Sequence, residues 1–279
     1  MQSLEQILLA SLFAGIVAIA VTVAIERLGG VVGGVLATVP STIVPAAAFM
    51  WLGNPNALAF AAAMAMVPFG VLLNAVFLWL WRVVPPLIPE TISFKARLAS
   101  ITVVNLLLWT IAAALLTLAS AYLLKSWVSA LHLGIVGLVL GIILGVVASL
   151  KSQPAPKGEN KVGTLALMLR GVGAALAIGC AVWLAQNGSP LIAGIASVFP
   201  AIFTTSMVAL WISQGQAVPS GAIGPMMLGV TSVSTYAVLA IMTVPAHGVI
   251  LGSGLAWIGA VLIITLPCSY WLSSRQPAG

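Results

Sequence analysis

The sequence predicts an all-α polytopic membrane protein with about nine transmembrane helices in a 4+1+4 inverted-topology repeat. Three observations predict it. Of 279 residues, 62% are hydrophobic and 5% charged, and mean hydropathy is +1.21, whereas a soluble domain carries roughly 25% charged residues. Apolar runs of about 20 residues, the length that crosses a bilayer, follow one another with short breaks. A colinear series of residues then recurs between the two halves of the chain.

The elements follow in order. Span 1 covers 4–27; the preceding Met1-Gln-Ser-Leu-Glu5 lacks the basic segment of a cleaved signal peptide, so the run is expected to stay as a helix. Span 2 (31–52) lies between Gly29-Gly30 and Gly53-Asn54-Pro55-Asn56, and span 3 (56–82) runs to a charged connection containing Pro85-Pro86. Spans 4 (98–123) and 5 (128–150) precede a second charged connection at 151–161. Span 6 (162–186) ends at Asn187-Gly188-Ser189-Pro190, and spans 7 (190–213), 8 (217–243) and 9 (248–272) complete the chain.

The basic residues orient these spans. Arg27, Arg82, Lys95, Arg97, Lys151, Lys157, Lys161 and Arg275 share one side, and only Lys125 falls on the other. Basic residues collect on the cytoplasmic side. The expectation is a multi-pass protein of the cell inner membrane, N-terminus outside and C-terminus cytoplasmic. The net charge of +6 is then topology, not a nucleic-acid surface.

The repeat is carried by named residues. Gly34-Val-Leu-Ala-Thr-Val-Pro40 parallels Gly194-Ile-Ala-Ser-Val-Phe-Pro200 at an offset of 160, which also pairs Trp51 with Trp211. Pro68 matches Pro225 and Asn74 matches Thr231 at a slightly shorter offset. Trp109, Thr117 and Tyr122 match Trp257, Thr265 and Tyr270 at an offset of 148. Repeat 1 is 1–124, a linker helix and cytoplasmic loop fill 125–161, and repeat 2 is 162–279. Equivalent spans are five apart, and an odd displacement inverts the second copy, the plan of many secondary transporters.

The stretch Ala193-Gly194-Ile-Ala-Ser-Val-Phe199-Pro200, followed by Gly221 to Tyr236, resembles the small four-helix bacterial inner-membrane proteins of the GlpM type. Those show an Ala-Gly-x4-Phe-Pro run and then a helix rich in Met, Gly, Ser and Tyr. The first copy has Val39 in place of the Phe. The resemblance implies two fused copies joined by span 5, and it carries no activity with it.

Four Glu and no Asp leave little for paired-carboxylate catalysis, and two His add little, so no enzyme is expected. Glu26 is expected at the interface, and Glu5, Glu90 and Glu159 near the surface. His132 reads as structural, and Cys180 and Cys268 as buried inert thiols. Candidate solute-binding residues sit deep in the spans instead. Thr38, Pro40, Ser41 and Thr42 in span 2, and Ser197, Pro200, Thr204 and Thr205 in span 7, surround prolines near the midplane. Proline removes a backbone donor and breaks or kinks a helix, and the freed groups must be satisfied inside the protein. With Thr38 or Ser197 as cap, two positive helix N-termini would converge, favouring an anionic group. The alternative is two plain kinks with hydroxyls bonded back to their own helices. Thr231, Ser234 and Thr235 can share a face of span 8, with Asn74 at the matching level of span 3. Arg170, inside span 6, either reaches the cytoplasmic surface or faces the site.

Small residues at Gly134, Gly137, Gly141 and Gly145 permit close backbone contact, either with the repeats or in a homodimer. Trp79, Trp81, Trp127 and Trp271 are expected at membrane interfaces. The functional expectation is a secondary transporter of a small anionic or neutral polar solute, with sodium as a possible coupling ion. The alternative is a non-transporting subunit or assembly factor for lipid or polysaccharide processes.

Overall fold

A computed structural model of the chain describes residues 2–28, 39–89, 91–126, 129–150, 163–214 and 217–274. Thr38, Glu90 and Trp127, and the side chain of Glu26, lie outside the described residues, as do Glu159 and the first half of span 2. The regular structure described is helical: α1 (Gln2–Leu28), α2 (Ile43–Gly53), α3 (Ala57–Val83), a 3-10 turn (Pro85–Leu87), α4 (Phe94–Ser126), α5 (Ala130–Leu150) and α6 (Thr164–Gln186). α7 (Pro190–Ala196), α8 (Ala201–Gln214), α9 (Ala217–Gly229), α10 (Thr231–Ala260), a π turn (Val261–Thr265) and α11 (Leu266–Ser273) follow.

Local chemistry sets the ends. Asn56 caps α3 by accepting from the amides of Leu58 and Ala59 at 3.0 Å each, which satisfies two donors of the first turn. Ser129 plays that part for α5 through the His132 amide, and its hydroxyl also lies 2.6 Å from His132 Nδ1. Ser93 caps α4 through the Ala96 amide, so α4 begins four residues earlier than the charged sequence predicts and takes in Lys95 and Arg97. Arg97 Nη2 then donates to the Pro85 carbonyl at 2.9 Å, tying the connection to the helix.

Among the described residues, seven segments are long and apolar enough to cross a membrane. The last, Ile223–Ser273, is 51 residues long and folds back on itself. Gly248 has φ 77°, a left-handed conformation that glycine adopts without strain. Beyond it, Thr243 Oγ1 donates to the Gly252 carbonyl at 2.8 Å, and Gly259 sits beside the Leu239 side chain. Residues 231–247 and 249–260 of α10 are therefore two antiparallel limbs. The sequence reading puts a loop at 244–247; the reversal needs only Gly248, because Pro245 is accommodated inside the first limb. The π turn precedes Pro267, whose ring nitrogen cannot donate, and a wider turn is one way a helix absorbs that loss.

α3 is the centre. From Ala63 to Val71 every residue is buried, as expected of a helix that is apolar all round, and α4, α5, α7 and α10 pack on it. The α5 glycines seat that helix between α3 and the α9–α10 junction. Gly137 meets Pro68 and Phe69, and a Cβ at Gly145 would lie 2.7 Å from the Leu228 Cα. The glycine stripe is thus consumed inside the chain. α1 and α6 run antiparallel in close contact, with Gly15 against the Gly171 carbonyl and Ala175, and Gly179 against Ser11.

The outer surface is apolar. Leu8, Leu12, Phe13 and Ile16 on α1, and Leu107, Ile111, Leu115 and Leu118 on α4, are each more than half exposed. A soluble monomer does not expose belts of this size. Two sequence expectations are corrected here. Trp81 is not an interfacial residue: it is 1% exposed and packs on Phe77 and Trp211 at centroid distances of 6.3 and 5.7 Å, whereas Trp79, two positions away, points outward. Cys180 is not buried: it lies on the exposed face of α6.

Candidate functional site

Helical structure stops at Ala196 and resumes at Ala201, and residues 39–42 before α2 are likewise non-helical. At the first interruption Gly194 makes α7 ride directly on α3, because a Cβ there would fall on the Ala63 carbonyl. This contact brings the unwound residues against Asn74. Asn74 Nδ2 donates to the Val198 carbonyl at 2.8 Å, and Asn74 Oδ1 accepts from Trp109 Nε1 at 2.8 Å. The Trp109 ring meets Phe199 edge-on at 5.3 Å. One amide thus joins α3, α4 and the α7–α8 break, satisfying a carbonyl that a continuous helix would have used itself.

Ser197 does not cap α8. Its hydroxyl donates back to the Gly194 carbonyl at 2.6 Å, because Ser197 ends α7 and lies four residues before α8 begins. Thr204 returns to the Pro200 carbonyl at 2.7 Å, and Thr205 to Ala201 and Ile202 at 2.9 and 3.0 Å. In the non-helical stretch 39–42 Pro40 is buried and Ser41 and Thr42 are half-buried. Thr42 occupies the N-cap position of α2 but makes no side-chain cap bond, which leaves the amides of the first turn without that partner.

Arg170 lies elsewhere. Its Nη2 donates to Ser206 Oγ at 2.7 Å and its Nη1 to Thr22 Oγ1 at 3.3 Å, so one guanidinium fork links α6 to α8 and α1. Thr231, Ser234 and Thr235 form a third place. All are at most 3% exposed; Thr231 donates to the Leu228 carbonyl at 2.6 Å and Thr235 to the Thr231 carbonyl at 3.1 Å. Thr231 faces Gly141 of α5. Among the described residues the Ser234, Tyr236 and Ser253 hydroxyls are buried with no hydrogen-bond partner.

A cleft of about 430 Å³ opens between α2 and the second limb of α10. Val44, Ala48, Ser253 and Trp257 are among its lining residues, and its walls are almost wholly apolar. None of the hydroxyls of Thr231, Ser234 and Thr235 lines it. Sequence reasoning missed Thr22 and Trp109 as site residues, and it missed Asn105. Asn105 was detectable as an amide well inside an apolar span.

Helices long and apolar enough to cross a membrane, together with an apolar exterior, define a multi-pass α-helical membrane protein. The chain matches no protein-family profile, no curated protein and no solved structure.

Proposed function

We propose that the protein is a secondary transporter of a small anionic or neutral polar solute, working by alternating access of two inverted four-helix repeats. The observation that carries this reading is the relation between the non-helical stretches at Pro40 and Pro200. Pro40 and Pro200 are 160 residues apart, and the same offset relates Gly15 to Ala175, which touch near the middle of the antiparallel α1–α6 pair. A pseudo-dyad between inverted repeats requires equivalent residues to meet at such a midpoint. The packing supports the same relation. α5 touches both α3 and the α9–α10 junction, the two places that Pro68 and Pro225, and Asn74 and Thr231, mark as equivalent.

On this reading spans 2 and 7 are broken helices, and nine crossings put the N-terminus outside and the C-terminus in the cytoplasm of the inner membrane. The uncapped first turn of α2 supplies donors to an anionic or carbonyl group of the solute. Carbonyls freed near Pro40 and Pro200 suit sodium better than a proton, since sodium takes oxygen ligands. The two repeats descend from a fused pair of GlpM-like units.

Reconstituted proteoliposomes test it. Labelled amides, polyols and carboxylates are offered under a sodium gradient and then under a pH gradient. Gradient-dependent accumulation of one class is the expected result. Uptake rates that are equal with and without either gradient would remove a coupled carrier.

A further inference from the structure

Asn105 is fully buried, and neither its Nδ2 nor its Oδ1 has a hydrogen-bond partner among the described residues. A buried amide without partners keeps the full cost of its lost hydration, and apolar replacement would relieve that. Such a group is worth explaining by what it meets in another state. Its place in the fold gives the explanation. Leu98, Ile101, Asn105 and Trp109 form the buried stripe of α4, and Ile101 and Trp109 belong to the same core cluster as Trp81 of α3 and Met207 and Trp211 of α8. Trp109 is bonded to Asn74 beside the α7–α8 break, so Asn105 lies one helical turn from that break. Trp81 Nε1 is a second buried donor in this cluster without a partner among the described residues.

The repeat offsets relate this sealed seam to the open cleft. At an offset of 148, Ser253 corresponds to Asn105 and Trp257 to Trp109; at 160, Ala48 corresponds to Val208 of α8. The cleft between α2 and the second limb of α10 thus has an equivalent between α8 and α4, and that equivalent is closed. We infer that Asn105 lines a second cleft, which opens toward the cytoplasm when the first one closes, and that it binds an uncharged solute group able both to donate and to accept, such as a carboxamide or hydroxyl. An amide offers one acceptor and two donor hydrogens, and Trp81 Nε1 adds another donor. The inference rests on the repeat and carrier reading above, and narrows its solute to the neutral class.

The test uses single cysteine substitutions in a Cys180→Ala, Cys268→Ala background, with a membrane-impermeant maleimide applied to right-side-out and inside-out vesicles. Gly254→Cys, where a side chain would stand free in the open cleft, reacts from the outer face and Asn105→Cys only from the cytoplasmic face. In the variant carrying both substitutions, prior modification of the outer thiol, at position 254, wedges the outer cleft open. It slows cytoplasmic labelling of the thiol at position 105 at least about fivefold, the low end of coupling between linked sites. With Asn105 intact, acetamide and glycerol slow modification of Gly254→Cys, because a bound solute draws the population to the inward state. Acetate does not, and Asn105→Leu removes the protection while leaving thermal stability equal or higher. Asn105→Cys inert from both faces, reactive from the outer face, or indifferent to the outer modification overturns the second cleft. Protection by acetate equal to that by acetamide overturns the neutral class. Absence of gradient-driven uptake with the labelling pattern intact would remove the carrier reading and leave the paired clefts standing.

Discussion

Replacing Asn74 by Leu keeps the volume of the side chain and removes both of its hydrogen bonds. The Val198 carbonyl loses its donor and Trp109 Nε1 its acceptor, and Asn74 and Trp109 are 3% and 6% exposed. In a soluble core two orphaned groups at about 1–3 kcal/mol each would cost about 2–6 kcal/mol. A helix unfolded within the membrane finds other partners, and side-chain hydrogen bonds there average about 0.6 and reach about 1.7 kcal/mol. Two such bonds give an expected loss of about 1–3 kcal/mol. Reversible unfolding in mixed micelles by titration with a denaturing detergent measures it. A cycle with Trp109→Phe, which keeps the ring on Phe199 and deletes the donor, isolates one bond. The double variant is expected to be more stable than the sum of the singles by about 0.6–1.7 kcal/mol. If Asn74→Leu lies within about 0.5 kcal/mol of the parent, or the two changes simply add, the amide is not what holds the break.

Other expectations follow from single contacts. Gly194→Ala drives a methyl into the Ala63 carbonyl and should lower stability by about 3 kcal/mol or more, as overpacking against backbone does; Gly254→Ala meets nothing within 4 Å and should gain about 0.5–1 kcal/mol from its helical position, both read by the same unfolding titration. Arg170→Lys cannot span Thr22 and Ser206 with one ammonium, so it should lose about 1.5–3 kcal/mol, nearly as much as Arg170→Gln; full rescue by Lys would refute the bridging role. Gly145→Leu should destabilise the chain by displacing α5 from Leu228 without altering its oligomeric state, and a change of mass by light scattering at unchanged stability would place that glycine in an intermolecular contact instead.

Several of these features are legible in the sequence for a physical reason, and others are not. Proline deletes a donor wherever it stands, so interruptions near Pro40 and Pro200 can be expected from composition alone. A glycine stripe announces close packing, but not whether the partner is the same chain; Pro68 and Leu228 answer that only when the fold is known. Hydroxyls are the least legible. Thr231 and Thr235 can line a cavity or bond back to a carbonyl three or four residues earlier, and the residue type is the same in both cases. Trp79 and Trp81 differ by two positions, roughly 200° around a helix, which sends one ring outward and the other into the core. Ser197 illustrates the limit at a break: whether it ends one half-helix or starts the next depends on where unwinding begins, which residues of α3 decide through Gly194 and Asn74.

The reversal at Gly248 has a consequence for synthesis. From Gly171 to Ser274 the sequence contains no Lys, Arg, Asp or Glu, so none of these residues flanks the turn along the chain to retain it on one side of the bilayer. The two limbs are joined by a single glycine and bonded to each other through Thr243 and Gly252. Neither limb can be oriented alone by flanking basic residues. The direction in which they cross the bilayer is then set from a distance, by the lysines at 151–161 that precede α6 and by the helices that come before them.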